Sequence, residues 1–126
     1  MKIKFYLLLI TACLSGCFKS DYDVIIVGGG ASGIASAVQS SRMGSKTLLI
    51  EQTDWLGGML TSAGVSAMDG NYKMPSGFLG EFRDSLVSHY GSLEDLKTGW
   101  VSNMLFEPSV GNEILKNIAI NEKKID

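Results

Sequence analysis

Cysteine, histidine and proline are scarce in this chain of 126 residues, which holds two, one and two of them respectively. Both cysteines, Cys13 and Cys17, fall in the N-terminal segment. Nothing after residue 17 can therefore form a disulfide, a dithiol redox pair or a thiolate-held cluster. No His/Cys/Asp grouping has metal-ligand spacing, so no metal is expected. There is no nucleophile elbow, and no Gly-Lys-Ser/Thr follows the glycines, which excludes a P-loop. The one histidine, His89, stands near a predicted helix end and reads as structural rather than as a proton donor. Long basic runs are missing too. The formal net charge is −2, and Lys123-Lys124 reads as a solvated helix end, so no nucleic-acid partner is expected. Internal repeats, low-complexity tracts and proline-rich linkers are also absent from the sequence.

The first residues do not read as fold. Lys2 and Lys4 precede an apolar stretch, Phe5 to Ala12, that is too short to span a bilayer. Leu14-Ser15-Gly16-Cys17 resembles the lipobox of bacterial lipoproteins, which implies cleavage before Cys17 and diacylation of its sulfur. The expected organisation is a lipoprotein signal peptide over 1–16, a lipidated tether over 17–22, and the N-terminal, truncated part of a binding domain over 23–126. Removing residues 1–16 takes two lysines away and leaves a charge of about −4. The protein would then sit in the cell envelope, held at a membrane by acyl chains. A generic secretory peptide is the alternative.

What the chain does have is glycine, fifteen residues of it, concentrated where it carries information. Val24-Ile25-Ile26-Val27 runs into Gly28-Gly29-Gly30-Ala31-Ser32-Gly33, and Lys46-Thr47-Leu48-Leu49-Ile50-Glu51 follows. This is a strand, a glycine turn, a helix, a second strand and a terminal acid, at dinucleotide-binding spacing. Gly28 allows the tight turn, Gly30 lets the backbone approach a pyrophosphate, and Gly33 lets the helix pack on the strand. Ala31 and Ser32 begin the helix, whose N-terminal N–H groups and dipole suit phosphate. Glu51 can accept hydrogen bonds from a ribose diol. Both strands are continuously apolar, as in a parallel sheet covered on both faces. The first helix is predicted over about Ala31 to Met43, with Ala31, Ile34, Ala35 and Val38 as its apolar stripe and Gly44 at its C-cap.

The segment Trp55 to Gly64 exposes backbone again. Gly57 and Gly58 would permit close approach to a cofactor, and Thr61 and Ser62 would supply hydroxyl donors; an ordinary loop is the bland alternative. A further helix is predicted over Gly77 to Tyr90, with Leu79, Phe82, Leu86 and Tyr90 facing the core. Ser92 is placed to cap a short helix, and Trp100 to Phe106 reads as extended. Trp55 and Trp100 either line a cavity or are buried for packing. Glu107 to Asp126 reads as a helix with Pro108 in its first turn and Val110, Ile114 and Ile118 on one face. A further strand is expected at Lys124-Ile125-Asp126. The fold class is α/β: a Rossmann-like βαβ unit with additional helices and an incomplete parallel sheet.

From Asp23 to Gly33 and on to Glu51 the chain resembles the N-terminal flavin-binding segment of two-dinucleotide-domain flavoproteins. Leu56-Gly57-Gly58-Met59-Leu60-Thr61, Phe78-Leu79-Gly80-Glu81-Phe82-Arg83 and Glu107-Pro108-Ser109-Val110 are similar to the bacterial FAD-dependent oxidoreductase family. That family is often grouped with the flavin subunit of heterodisulfide reductase, and some of its members carry the label xanthan lyase. The resemblance implies FAD, with Gly28, Gly30 and Gly33 at the pyrophosphate and Glu51 at the adenosine ribose. It also implies hydride or electron transfer on a small-molecule substrate that these residues do not specify. The chain departs from the cluster-bearing relatives in lacking iron–sulfur ligands. No catalytic acid or base can be named. Two rival readings stay open here: NAD on the same fingerprint, and a non-catalytic lipoprotein or inactive fragment that keeps the fold.

Overall fold

The computed structural model describes residues 20–126 apart from 71, 75 and 101. The expected signal peptide, the expected lipidation site at Cys17 and the start of the expected tether lie outside the described residues. The first regular element is strand β1 (Val24–Val27), followed by helix α1 (Ala31–Arg42) and strand β2 (Thr47–Ile50). β1 and β2 pair in parallel, Val24 opposite Thr47 through Val27 opposite Ile50. Branched apolar side chains favour the extended backbone here, and the helical crossover is what parallel neighbours require.

Ile34, Ala37 and Val38 of α1 are buried, whereas Ala31 is exposed. The expected stripe is thus rotated, because α1 packs on the two strands and also on a later helix. Gly33 sets how closely helix and sheet approach. A Cβ built there would overlap the carbonyl oxygen of Gly28 and lie 3.6 Å from Cγ2 of Ile26. After Arg42, Met43 caps the helix and the Gly44 N–H donates to the Ser41 carbonyl at 2.9 Å.

Helix α2 (Gly77–Tyr90) matches its predicted span. Ser92 accepts a hydrogen bond from the Asp95 N–H at 3.3 Å, at the entry to a single 3-10 turn, Glu94–Leu96. Residues 66–68 and 104–106 lie antiparallel through a bridge between Ala67 and Leu105, so only the end of the expected Trp100–Phe106 strand is paired. Trp100 is 96% exposed; it neither packs in the core nor lines a cavity with Trp55. Helix α3 covers Pro108–Ile120 and stops six residues before the expected end. Its buried face is Gly111, Leu115, Ile118 and Ala119, one residue round from the predicted stripe.

The residues after α3 turn extended because β2 offers them an edge. The Thr47 N–H donates to the Lys124 carbonyl at 2.8 Å, the Asp126 N–H to Thr47 at 2.9 Å, and the Leu49 N–H to Asp126 at 2.8 Å. The strand expected at Lys124-Ile125-Asp126 is therefore begun beside β2. α1, α2 and α3 enclose the core of Ile34, Val38, Phe82, Leu86, Met104, Phe106 and Leu115, with Phe82 edge-on to Phe106 at 5.4 Å. On the other side of the sheet Ile25 and Val27 are 59% and 80% exposed. The described sheet is covered on one face only.

Candidate functional site

The C-terminal end of β1, the start of α1 and the end of β2 meet at the glycine turn. The Gly28 N–H donates to the Ile50 carbonyl at 2.8 Å, and its φ of +101° is a backbone state that favours glycine. Gly29 is buried, and a Cβ on it would meet Cδ2 of Leu56 at 2.6 Å. Gly30 differs from both. Its φ of −65° and ψ of 177° suit any residue, and a Cβ built there meets no protein atom within 4 Å. Neither local conformation nor packing within the chain requires glycine at that position.

Gly30 is also the N-cap of α1, and no side chain caps the helix. The first intrahelical bond joins the Ile34 N–H to the Gly30 carbonyl at 2.9 Å. The N–H groups of Ala31, Ser32 and Gly33 precede it and belong to the unpaired first turn, where partial positive charge attracts anions. Ala31 and Ser32 are exposed.

Glu51 stands beside this turn. Its Oε2 accepts the Gly29 N–H at 2.6 Å and its Oε1 accepts the Thr53 N–H at 2.9 Å. The Thr53 hydroxyl lies 3.0 Å from both Oε1 and the Trp55 carbonyl and donates to one at a time. These hydrogen bonds, first from the Thr53 N–H and then from the Gly29 N–H, hold the carboxyl below its usual range. A carboxylate has about four acceptor positions, so an oriented, ionised Glu51 keeps acceptor capacity for an incoming hydroxyl.

The second glycine segment lies directly against the first. The Gly57 N–H donates to the Gly29 carbonyl at 2.8 Å, and Gly57 forms a parallel bridge with Gly30. Gly57 has φ +109°, and a Cβ on it would come within 2.7 Å of Leu115. A Cβ on Gly58 would come within 3.1 Å of the Gly30 Cα. Thr61 takes a different role from the one expected. It is buried, and its hydroxyl donates inward to the Leu56 carbonyl at 2.6 Å. The Ser62 hydroxyl likewise donates to the Gly58 carbonyl at 3.1 Å. Both hydroxyls brace their own loop.

Two residues at the site escaped the sequence reading. Thr53 sits two positions after the acid, a local spacing that side-chain-to-backbone turns use and that could have flagged it. Asn112, on α3, accepts the Leu56 N–H at 2.8 Å across 56 residues, and no sequence pattern announces such a contact. An apolar recess of about 370 Å³ opens beside Ala31 and Ser32, lined also by Leu60, Met68, Phe78 and Phe82. A larger hollow of about 610 Å³ lies between the Gly64 to Ala67 loop and Tyr90, Glu107 and Pro108. It touches the second glycine segment only at its last residue, Gly64, and does not reach Gly28, Gly29, Gly30, Gly57 or Gly58.

Against known proteins, residues 23–126 match the family described as FAD dependent oxidoreductase. The tRNA uridine 5-carboxymethylaminomethyl modification enzyme of Treponema pallidum is 39% identical over 77 residues, 56% of this chain and 12% of the enzyme. The same enzyme from Treponema denticola is 62% identical over 34 residues, 27% of this chain and 5% of the enzyme. Alpha-glycerophosphate oxidase of Enterococcus casseliflavus is 48% identical over 40 residues, 32% of this chain and 7% of the enzyme. The chain thus spans about an eighth or less of the length of these curated relatives. The cofactor is FAD, and the NAD alternative gives way to it. The expectation of no nucleic-acid partner is overturned, since the Treponema relatives are tRNA-modifying enzymes. A mild negative net charge does not by itself exclude a nucleic-acid partner.

Proposed function

The chain belongs to the FAD-dependent oxidoreductase family, and we propose that its two glycine segments form the cradle for the pyrophosphate and adenosine ribose of FAD. The observation that carries this reading is Gly30. Glycine there is dictated neither by φ and ψ nor by packing, but it leaves the N-terminus of α1 open to close approach by a phosphate. The N–H groups of Ala31, Ser32 and Gly33 would donate to the pyrophosphate oxygens, and α1 would supply its positive dipole end. Gly28 turns the chain out of β1 and Gly33 brings α1 onto it. Glu51, oriented by Gly29 and Thr53, would accept from the ribose diol. Gly57 and Gly58 would bring backbone to the same phosphates, and the recess beside Leu60 and Phe78 offers an apolar, water-poor wall.

When bound, FAD supplies hydride or electron transfer at its ring; this chain's residues bind and orient it. The uncovered sheet face at Ile25 and Val27 supports the reading that residues 23–126 are the N-terminal portion of a flavin domain completed by other chain. The relatives' names differ in substrate, a tRNA uridine in one and alpha-glycerophosphate in another, so the resemblance supports the cofactor and not a substrate. Attachment through Cys17 to the cell envelope rests on the lipobox, and labelled fatty acid should enter the wild type and not Cys17→Ala.

The test of the cradle is FAD binding by the full chain. Flavin absorbance should co-elute with the protein and be lost in Gly30→Val while the far-UV circular dichroism stays unchanged. A colourless protein, or a Gly30→Val variant as yellow as the wild type, would overturn it.

A further inference from the structure

We propose that Asn112 of α3 is a positioning residue for the cofactor, acting with Thr61 as a two-point latch on the backbone of Leu56. The inference rests on the FAD cradle described above and goes beyond it, because neither side chain touches the cofactor in this role. Leu56 lies outside every regular element, yet both of its backbone polar groups are held by side chains. Its N–H donates to Oδ1 of Asn112 at 2.8 Å and its carbonyl accepts from the Thr61 hydroxyl at 2.6 Å.

Leu56 is the point from which the two glycine segments are joined. Its side chain covers Gly29, where a built Cβ would meet Cδ2 of Leu56 at 2.6 Å. The next residue, Gly57, donates its N–H to the Gly29 carbonyl at 2.8 Å. The Gly29 N–H in turn orients Glu51. α3 is pressed against the back of this arrangement. A Cβ on Gly57 would come within 2.7 Å of Leu115, and one on Gly111 within 3.3 Å of Thr61 Cγ2. Removing the Asn112 acceptor leaves a part-buried N–H without its partner. The loop then moves to rehydrate it, and Gly57 leaves its seat on Gly29. Asn112 therefore couples α3 to the phosphate cradle across 56 residues.

The full chain can be compared as wild type, Asn112→Ala, Asn112→Leu, Asn112→Asp and Thr61→Val, with FAD itself as the titrant. The expected result is a loss of FAD affinity of about tenfold in Asn112→Ala, Asn112→Leu and Thr61→Val. Asn112→Asp keeps an oxygen acceptor and should return to within about threefold of wild type. Amide hydrogen exchange at Gly57 in the FAD-free protein should accelerate in the same three variants. Leu86→Val, a core change remote from the cradle, serves as the control for general destabilisation and should leave FAD affinity in place. Wild-type affinity in Asn112→Ala, or an equal loss in Leu86→Val at matched melting temperature, would overturn the latch. Should Asn112→Ala fail to fold, Thr61→Val tests the other end of the same residue. A wild type that binds no FAD, with Gly57 exchange still responding to Asn112, would remove the cradle reading and with it the cofactor role of Asn112.

Discussion

The backbone N–H of Gly29 donates to Oε2 of Glu51 at 2.6 Å, across 22 residues of sequence. This bond ties the first glycine turn to the acid at the end of the second strand. It places the carboxylate proposed for the ribose and the unpaired first-turn N–H groups of α1 in one frame. It also makes Gly29 more than a spacer between Gly28 and Gly30, since its N–H aims the acid and its missing side chain admits Leu56.

Glu51 should make stability and cofactor binding depend on acid pH. Its carboxyl is held below the usual range by N–H donors from Thr53 and Gly29. Its contribution is therefore complete above the ordinary glutamate value of about 4.3 and is lost as pH falls through the lower folded value. Thermal melts of wild type and Glu51→Gln between pH 7 and pH 3 check this. The difference between them should be largest at neutral pH and shrink below about pH 4. A gap that stays constant over that range contradicts the assignment.

Gly33 and Gly30 should fail in opposite ways. Gly33→Ala drives a Cβ into the Gly28 carbonyl and should cost about 3 kcal/mol, a fall of more than about 10 °C in melting temperature. Gly30→Ala has room and a permitted backbone, so its melting temperature should stay within about 3 °C. Its FAD affinity should nevertheless drop about tenfold or more. Calorimetry and flavin titration on the pair separate the structural glycine from the ligand-facing one.

Arg42 joins three parts of the chain, with Nη1 and Nη2 on Glu81 at 2.8 and 2.9 Å and Nε on Glu122 at 2.6 Å. These charge-assisted bonds hold the guanidinium well above its ordinary pKa, so it remains charged wherever the protein is studied. The group is partly exposed, and Arg42→Ala should cost only about 1 kcal/mol. Most of that should vanish in 1 M salt. Arg42→Lys should recover only part of it, because a single ammonium cannot reproduce the fork. Denaturant melts at two salt concentrations measure both effects.

The pairing of Lys124–Asp126 with β2 should be visible in hydrogen exchange. The Thr47 and Leu49 amides donate to Lys124 and Asp126, and a chain ending at residue 123 should expose both to rapid exchange. The amide of Gly28, bonded to Ile50 from the other side of β2, should stay protected. Equal protection of Thr47 in both chains would show that the edge pairing does not hold in solution.

The amino-acid sequence by itself determined the βαβ unit, the span of α2 and the cofactor class. Each depends on local pattern: a branched apolar run, a helical period, and glycines and an acid at fixed offsets. Only the tertiary structure decided which partner each group takes. Thr61 looked like a donor for a ligand because it follows Gly58 closely, but burial turned its hydroxyl onto Leu56. The Val110, Ile114 and Ile118 stripe predicts a helix running from Glu107 to Asp126, although a strand is also expected at Lys124-Ile125-Asp126. The open edge of β2 drew the last residues into extended pairing instead, since its N–H groups need acceptors. Asn112 was invisible for the same reason: its bond to Leu56 spans 56 residues, and only the packing of α3 behind the second glycine segment brings the two together.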